Sequence, residues 1–172
     1  YASRGLGDVY KRQDLFPLLC DMAAEKGYKM FFLGAAEGVA AKAAENLMNR
    51  FKGLQVVGTY SPPFGFEKNP VEMDKIKSMI KEANPHILIV GLGCPKQEKF
   101  MYHHCKELGV PVSFGLGASF DFEAGNIKRA PRWMSNHGLE WLFRITQDPK
   151  RMAKRYLVDD RKILGLAIKY KR

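Results

Sequence analysis

Short apolar runs alternate with longer amphipathic segments along most of this chain. Runs of this length predict buried β-strands, and there are four: Lys29–Leu33, Leu54–Tyr60, His86–Val90 and Val110–Phe114. Segments with helical spacing of apolar residues lie before and between them: Asp14–Gly27, Val39–Phe51, Pro70–Ala83 and Lys96–Leu108. Asp14 is predicted to cap the first helix. Strict alternation of strand and helix predicts an α/β fold, a Rossmann-like parallel sheet with helices on both faces.

The two ends of the chain depart from this pattern. Residues 1–13 show neither periodicity, so we expect a non-native scar there and a missing native N-terminal part. Residues 14–127 form the predicted α/β body. Beyond it only helices are predicted, Trp133–Arg144 and Asp148–Lys169, so residues 128–172 are predicted to be a helical appendage.

Charge separates the appendage from the body. Residues 1–127 carry 15 Lys and Arg against 14 Asp and Glu, whereas residues 128–172 carry 13 against 4. A basic segment of this kind favours phosphate, whether on a lipid, a nucleic acid or a diphosphate ligand.

Composition excludes several classes of protein. Hydrophobic residues make up 46% of the chain and charged residues 27%, which is typical of a globular protein. No stretch approaches the roughly 20 apolar residues of a membrane span, and the N-terminus lacks a secretory apolar region. The 3 cysteines fit neither a disulfide framework nor a paired metal motif, which favours a reduced, cytosolic chain.

Glycine-rich or proline-rich loops follow all four predicted strands. In a parallel sheet these loops share one edge, where ligands bind. Each loop alone is typical of a tight turn, but together they predict a cleft for a nucleotide or a nucleotide-sugar. The candidate ligand-contacting residues in these loops are Gly34, Gly38, Ser61, Pro62, Gly91, Gly93, Pro95 and Gly117.

The third of these loops is the most informative. Gly91 and Gly93 lack the third glycine of the dinucleotide fingerprint, and Thr59 and Tyr60 stand where a ribose-binding acid would end the second strand. This argues against NAD. The following residues Lys96, Gln97 and Glu98 begin a helix, where they are candidates to face a polar ligand. Solvation explains Lys96 equally well and helix-end charge complementarity explains Glu98, but neither explains Gln97.

Two further groups of charged residues are candidates. Asp121 and Glu123 in the fourth loop form an acidic pair, for which backbone capping by Asp121 is favoured over a divalent metal. In the appendage, the basic candidates are Arg144, Arg151, Lys154 and Arg155. They form either a solvated face, a phosphate clamp or a membrane-facing patch.

Taken together, these segments resemble the WecG/TagA/CpsF glycosyltransferase family. The resemblance covers about Asp14 to Leu157 and rests on five ordered segments: Phe32–Ala40, Tyr60–Gly65, Val90–Glu98, Gly115–Gly125 and Arg129–Tyr156.

The resemblance implies an inverting, metal-independent bacterial enzyme without a cofactor. Its donor is a UDP-sugar carrying N-acetylmannosamine or a related hexosamine or hexose. Its acceptor is a polyprenyl-diphosphate-linked sugar for teichoic acid or another surface polysaccharide. It also implies that Gln97 is an active-site residue, and that Arg144, Arg151 and Lys154 or Arg155 bind diphosphates. The basic appendage, residues 128–172, would meet an anionic membrane, which implies a cytoplasmic protein peripheral on the inner face of the plasma membrane.

The catalytic base is left unassigned. The family's proposed aspartate lies in a part that precedes Asp14, and nothing before Asp14 resembles that part. We therefore expect this chain by itself to be inactive. Asp121 and Glu123 are the nearby acids, but neither is chosen as the base.

Two other functions remain as alternatives. A nucleotide-binding α/β oxidoreductase is disfavoured by the missing glycine and ribose acid. A basic nucleic-acid-binding module is disfavoured because it leaves the neutral body with its four loops unexplained, so no nucleic-acid partner is predicted. The sequence leaves open whether the chain forms a homo-oligomer.

Overall fold

The computed structural model describes residues 12–128, 131, 134, 137 and 140–147. The helices are α1 (Arg12–Lys26), α2 (Val39–Arg50), α3 (Pro70–Ala83), α4 (Lys96–Leu108), α5 (Gly117–Glu123) and α6 (Glu140–Gln147). The strands are β1 (Lys29–Gly34), β2 (Gln55–Tyr60), β3 (Ile87–Gly91) and β4 (Val112–Gly115), and a 3-10 helix spans Phe66–Lys68. The chain divides into two compact units, Tyr1–Asn126 and Ile127–Arg172.

The first unit is built on a four-stranded, all-parallel sheet in the order β2-β1-β3-β4. The fold class predicted from the alternation of strands and helices is therefore confirmed. The central strands β1 and β3 are buried almost throughout, whereas β2 and β4 are largely half-exposed because they form the two edges. The expectation of buried strands is wrong for these two edge strands.

Two apolar cores cover the two faces of the sheet. Alternate side chains of a strand point to opposite faces, so Met30 and Phe32 enter one core while Phe31 and Leu33 enter the other. The first core receives α1, α2 and α5, and its rings of Phe16, Phe32 and Phe120 meet edge to face with centroids 5.2–5.4 Å apart. The second core receives α3 and α4.

A register shift in β2 is matched by a glycine. Met30 pairs with Val56 but Phe31 pairs with Gly58, so one residue of β2 is bulged. A Cβ on Gly58 would lie 2.4 Å from the Phe31 ring, so only glycine leaves room for that ring.

The sequence-based boundaries need correction at two places. Asp14 lies in the first turn of α1 and does not precede the helix, so it is not the predicted cap. The predicted loop Gly115–Gly125 contains the helix α5, because Phe120 on this segment is drawn into the first core.

The second unit is described only in part. Helix α6 ends at Gln147, three residues beyond the predicted end at Arg144. The second predicted helix, Asp148–Lys169, lies outside the described residues. In the part of the chain that the structure describes, no helix has both the length and the apolar character needed to cross a bilayer.

Candidate functional site

The order of the strands creates a topological switch point between β1 and β3. Helix α2 leaves β1 on one face of the sheet and α4 leaves β3 on the other, so a crevice opens between the carboxyl ends of these strands. The two ends are held close, since the amide of Ala35 donates to the carbonyl of Gly91 at 2.8 Å. The predicted loops thus meet at one edge.

Glycines permit this close approach. A Cβ on Gly34 would lie 2.5 Å from the carbonyl carbon of Gly91, and Gly34 has a φ of 116°. A Cβ on Gly91 would lie 2.5 Å from the Phe120 ring and 3.3 Å from the Cα of Gly117. The sheet edge and the start of α5 can therefore meet only because these residues lack side chains.

Gln97 is the buried polar residue of this edge. It lies in the first turn of α4 with 3% of its surface exposed. Its amide fits against two glycines: Cβ positions on Gly115 and Gly117 would lie 3.0 Å from Nε2 and 3.2 Å from Oε1. Its Nε2 donates to Oε1 of Glu98 at 2.8 Å, so that carboxylate faces Gln97.

The carbonyl oxygen of Gln97 is left without a hydrogen bond. Among the described residues it is the buried side-chain oxygen for which no donor is found. An unpaired buried acceptor costs about 1–3 kcal/mol, so such a group needs a functional explanation. A ligand donor in the crevice would supply the missing hydrogen bond.

Lys96, the first residue of α4, is paired. Its Nζ lies 2.6 Å from Oε1 of Glu67 in the 3-10 helix and 4.8 Å from the centroid of the Phe64 ring. The hydrogen bond from Lys96 lowers the pKa of the Glu67 carboxyl below its ordinary value. Phe64 itself is fully exposed. The interpretation of Lys96 as a freely solvated lysine is therefore wrong.

Ser61 and Pro62 follow the end of β2. The Ser61 hydroxyl lies 3.2 Å from both the Gly34 and the Ala36 carbonyl oxygens, so it ties the end of β2 to the loop after β1. Pro62 is half-exposed beside it. Tyr60, where β2 ends, donates its hydroxyl to the Glu72 carboxylate and accepts from Lys75 at 2.8 Å.

The remaining loop candidates are backbone positions. Gly38 and Gly93 have φ of 77° and 79°, and a Cβ on either would contact nothing within 4 Å. Gly38 precedes α2, and Pro95, which follows a cis peptide bond, precedes α4. The structure thus brings these residues to the predicted edge through their position on the backbone.

The acidic pair does not form a joint site. Asp121 and Glu123 lie two positions apart in α5, which directs them to different sides of a helix. Glu123 turns toward α2, where its Oε2 lies 3.6 Å from the guanidinium of Arg50. The loop placement of Asp121, and with it the idea of a loop-capping carboxylate, is wrong. In the described ranges no group of three or more potential metal ligands occurs.

Comparison with known proteins identifies the family of this chain. The sequence profile described as "Glycosyl transferase WecG/TagA/CpsF family" matches residues 3–172. The chain belongs to this family. The match includes most of the segment 1–13, whose non-native origin stays a prediction.

Two curated relatives align with 82% of this chain. Both are called N-acetylglucosaminyldiphosphoundecaprenol N-acetyl-beta-D-mannosaminyltransferase. The protein from Bacillus spizizenii is 37% identical over 142 residues, and the protein from Bacillus subtilis is 34% identical over 141 residues. The matched region covers 52% and 53% of these relatives, so the chain spans about half of their length.

The basic candidates of this WecG/TagA/CpsF family chain are mostly beyond the description. Arg144 lies in α6, but its side chain is outside the described part, and Arg151, Lys154 and Arg155 lie outside the described residues altogether. Their predicted role as a phosphate clamp stays a prediction.

Two residues at the edge were missed by sequence reasoning. Phe64 and Glu67 both contact Lys96, yet they are distant from it in sequence. Nothing in the local pattern signals this contact, because it depends on how the loop after β2 folds toward α4.

Proposed function

We propose that this protein binds a UDP-sugar at the carboxyl edge of the sheet and takes part in hexosamine transfer. The donor sugar would be N-acetylmannosamine or a related hexosamine or hexose. The acceptor would be a polyprenyl-diphosphate-linked sugar, in the synthesis of teichoic acid or another surface polysaccharide. The names of the two relatives support this acceptor and this sugar.

The observation that carries the proposal is the buried, unpartnered carbonyl of Gln97. Gly115 and Gly117 shape the space around its amide, and Glu98 fixes the amide nitrogen. The free Oε1 is then suited to accept a hydrogen bond from a sugar hydroxyl, a sugar amide or a nucleobase N–H.

Transfer from a UDP-sugar develops negative charge on the leaving diphosphate. The N-terminus of α4 and the ammonium of Lys96 offer positive potential at the same edge. Preorganised donors of this kind stabilise a leaving group without a metal, and we propose an inverting, metal-independent and cofactor-free reaction. The catalytic base is expected in a part that precedes Asp14, so we expect no turnover by this chain alone. Ligand binding is therefore the primary measurement for this chain.

The basic segment 128–172 would bring the protein to its lipid-linked acceptor. With 13 Lys and Arg against 4 Asp and Glu it is suited to an anionic membrane surface. We propose a cytoplasmic protein, peripheral on the inner face of the plasma membrane.

Calorimetric titration of the chain with UDP-N-acetylmannosamine, NAD and single-stranded DNA tests the proposal. We expect binding of the UDP-sugar and at least tenfold weaker binding by Gln97→Ala, about 1.4 kcal/mol. Gln55→Ala is the matched control, since Gln55 is exposed at the start of β2, on the opposite edge. Preferential binding of NAD or DNA, or unchanged affinity in Gln97→Ala, would contradict the proposal.

A further inference from the structure

The ammonium of Lys96 already has an anionic partner in the free chain. The Glu67 carboxylate approaches it to 2.6 Å, and both side chains are only partly exposed, at 38% and 37%.

 

That partner lies outside α4. Glu67 belongs to the 3-10 helix after β2, and the ring of Phe64 on the same segment lies 4.8 Å from the Lys96 ammonium. The ammonium of Lys96 therefore lies against the segment that follows β2.

This ion pair is expected to contribute little to the stability of the fold. Exposed ion pairs contribute little to stability because solvent screens them. The Phe64 ring beside the pair is fully exposed, so it buries no core surface. The arrangement needs another explanation, and its location at the site edge suggests one.

The first turn of α4 contains two neighbouring polar groups that would suit two different groups of one ligand. The helix N-terminus favours an anion, and the ammonium of its first residue, Lys96, is held by the Glu67 carboxylate. The next residue, Gln97, has a buried carbonyl without a donor in the described part of the chain. A ligand that carries both an anionic group and a hydrogen-bond donor would satisfy Gln97 and compete with Glu67 for Lys96.

We propose that Glu67 is an internal competitor for the anionic group of the ligand. Its carboxylate holds Lys96 in the free chain, and a diphosphate group displaces it on binding. This inference rests on the proposed function, which puts the diphosphate of the donor at the N-terminus of α4. Glu67 thereby lowers the affinity for the diphosphate by the fraction of time for which it occupies Lys96.

Calorimetric titration with inorganic pyrophosphate tests the competition in the full 172-residue chain. We expect Glu67→Gln to bind pyrophosphate about two- to fivefold more tightly than the unchanged chain, as release of a weak exposed ion pair allows. We expect Lys96→Met to bind more weakly, and the gain from Glu67→Gln to vanish in the double variant.

Glu107→Gln is the matched control for net charge. Glu107 is also a partly exposed carboxylate paired with lysines, Lys77 at 2.9 Å and Lys81 at 3.6 Å, but it lies in the last turn of α4. Its replacement removes the same charge and should leave the affinity for pyrophosphate close to that of the unchanged chain.

The outcomes separate this inference from the proposed function. If Lys96→Met weakens binding but Glu67→Gln matches Glu107→Gln or binds more weakly, the competitor role of Glu67 is overturned and the diphosphate site stands. A gain that persists without Lys96 also overturns it. If Lys96→Met binds as the unchanged chain does, both the competitor role and the diphosphate site at α4 are overturned.

Discussion

Missing side chains shape the site as much as those present. Gly91 admits the Phe120 ring, and Gly115 and Gly117 admit the Gln97 amide. A methyl group at any of these positions would lie 2.5–3.2 Å from its neighbour, which is closer than an ordinary van der Waals contact. The same crowding buries Gln97 and leaves its carbonyl without a partner, so the packing of single residues produces the chemical feature on which the proposed function rests.

Cys20 gives a prediction at this scale. It is fully buried in the first core, where burial and then the nearby carboxylate of Glu123 raise the pKa of its thiol to about 12. In the unfolded chain the thiol ionises near its ordinary pKa of 9.0. Above that pH the unfolded state binds fewer protons than the folded state, so the free energy of unfolding falls as the pH rises toward 12.

We expect this thiol to remove about 1.4 kcal/mol of stability between pH 8 and pH 10. Urea unfolding at the two pH values measures the loss. Cys20→Ala should show a smaller loss than the unchanged chain, whereas the control Cys94→Ala, at an exposed cysteine, should retain the full loss. Equal losses in the unchanged chain and Cys20→Ala would contradict the prediction.

At the scale of elements, the sequence predicts best where local signals and tertiary packing agree. Helix α3 has the predicted bounds because Asn69 caps it and Pro70 occupies its first position. Helix α5 was missed because the glycines of the segment Gly115–Gly125 favour a loop, while the burial of Phe120 between α1 and β1 favours a helix. Local patterns also could not identify the edge strands β2 and β4, because strand order depends on contacts distant in sequence.

The same limit applies to the site. Gln97 could be singled out because no solvent or capping role explains a glutamine at that position. The glycines that enclose it and the Glu67 partner of its neighbour Lys96 come from other loops. Their arrangement depends on the meeting of three strand ends, which no single segment encodes.

The cap of α3 can be tested directly. Oδ1 of Asn69 accepts hydrogen bonds from the amides of Val71 at 3.1 Å and Glu72 at 3.3 Å. Asn69→Ala should lower the free energy of unfolding by about 1 kcal/mol, because these amides lose their acceptor. Urea unfolding should show a lower midpoint with an unchanged slope. Asn49→Ala, at an exposed position in the last turn of α2, is the control, and an equal loss there would contradict the capping role.

For the whole molecule, the distribution of charge is the dominant feature. The first 127 residues are nearly neutral, with 15 basic and 14 acidic side chains, whereas residues 128–172 carry 13 basic and 4 acidic ones. A ligand edge on a nearly neutral body, followed in sequence by a basic segment, fits the proposed transfer from a soluble donor to an acceptor held in a membrane.

We expect the chain to bind anionic vesicles through residues 128–172. Each basic residue near an anionic surface contributes about 1 kcal/mol, so a few of the 13 suffice for measurable binding. Co-sedimentation with vesicles of anionic and of neutral lipid measures it, and replacing Arg151, Lys154 and Arg155 by Gln should weaken it strongly. The matched control replaces Lys26, Lys42 and Lys52 of the neutral body by Gln, which removes the same charge.

Salt should also weaken binding, because the screening length falls from about 10 Å at 0.1 M to about 3 Å at 1 M. Equal binding to neutral vesicles, or equal loss in the two triple variants, would contradict a membrane role for this segment. If vesicle binding persists in the Arg151, Lys154 and Arg155 variant while its affinity for pyrophosphate falls, these residues belong to the ligand site instead.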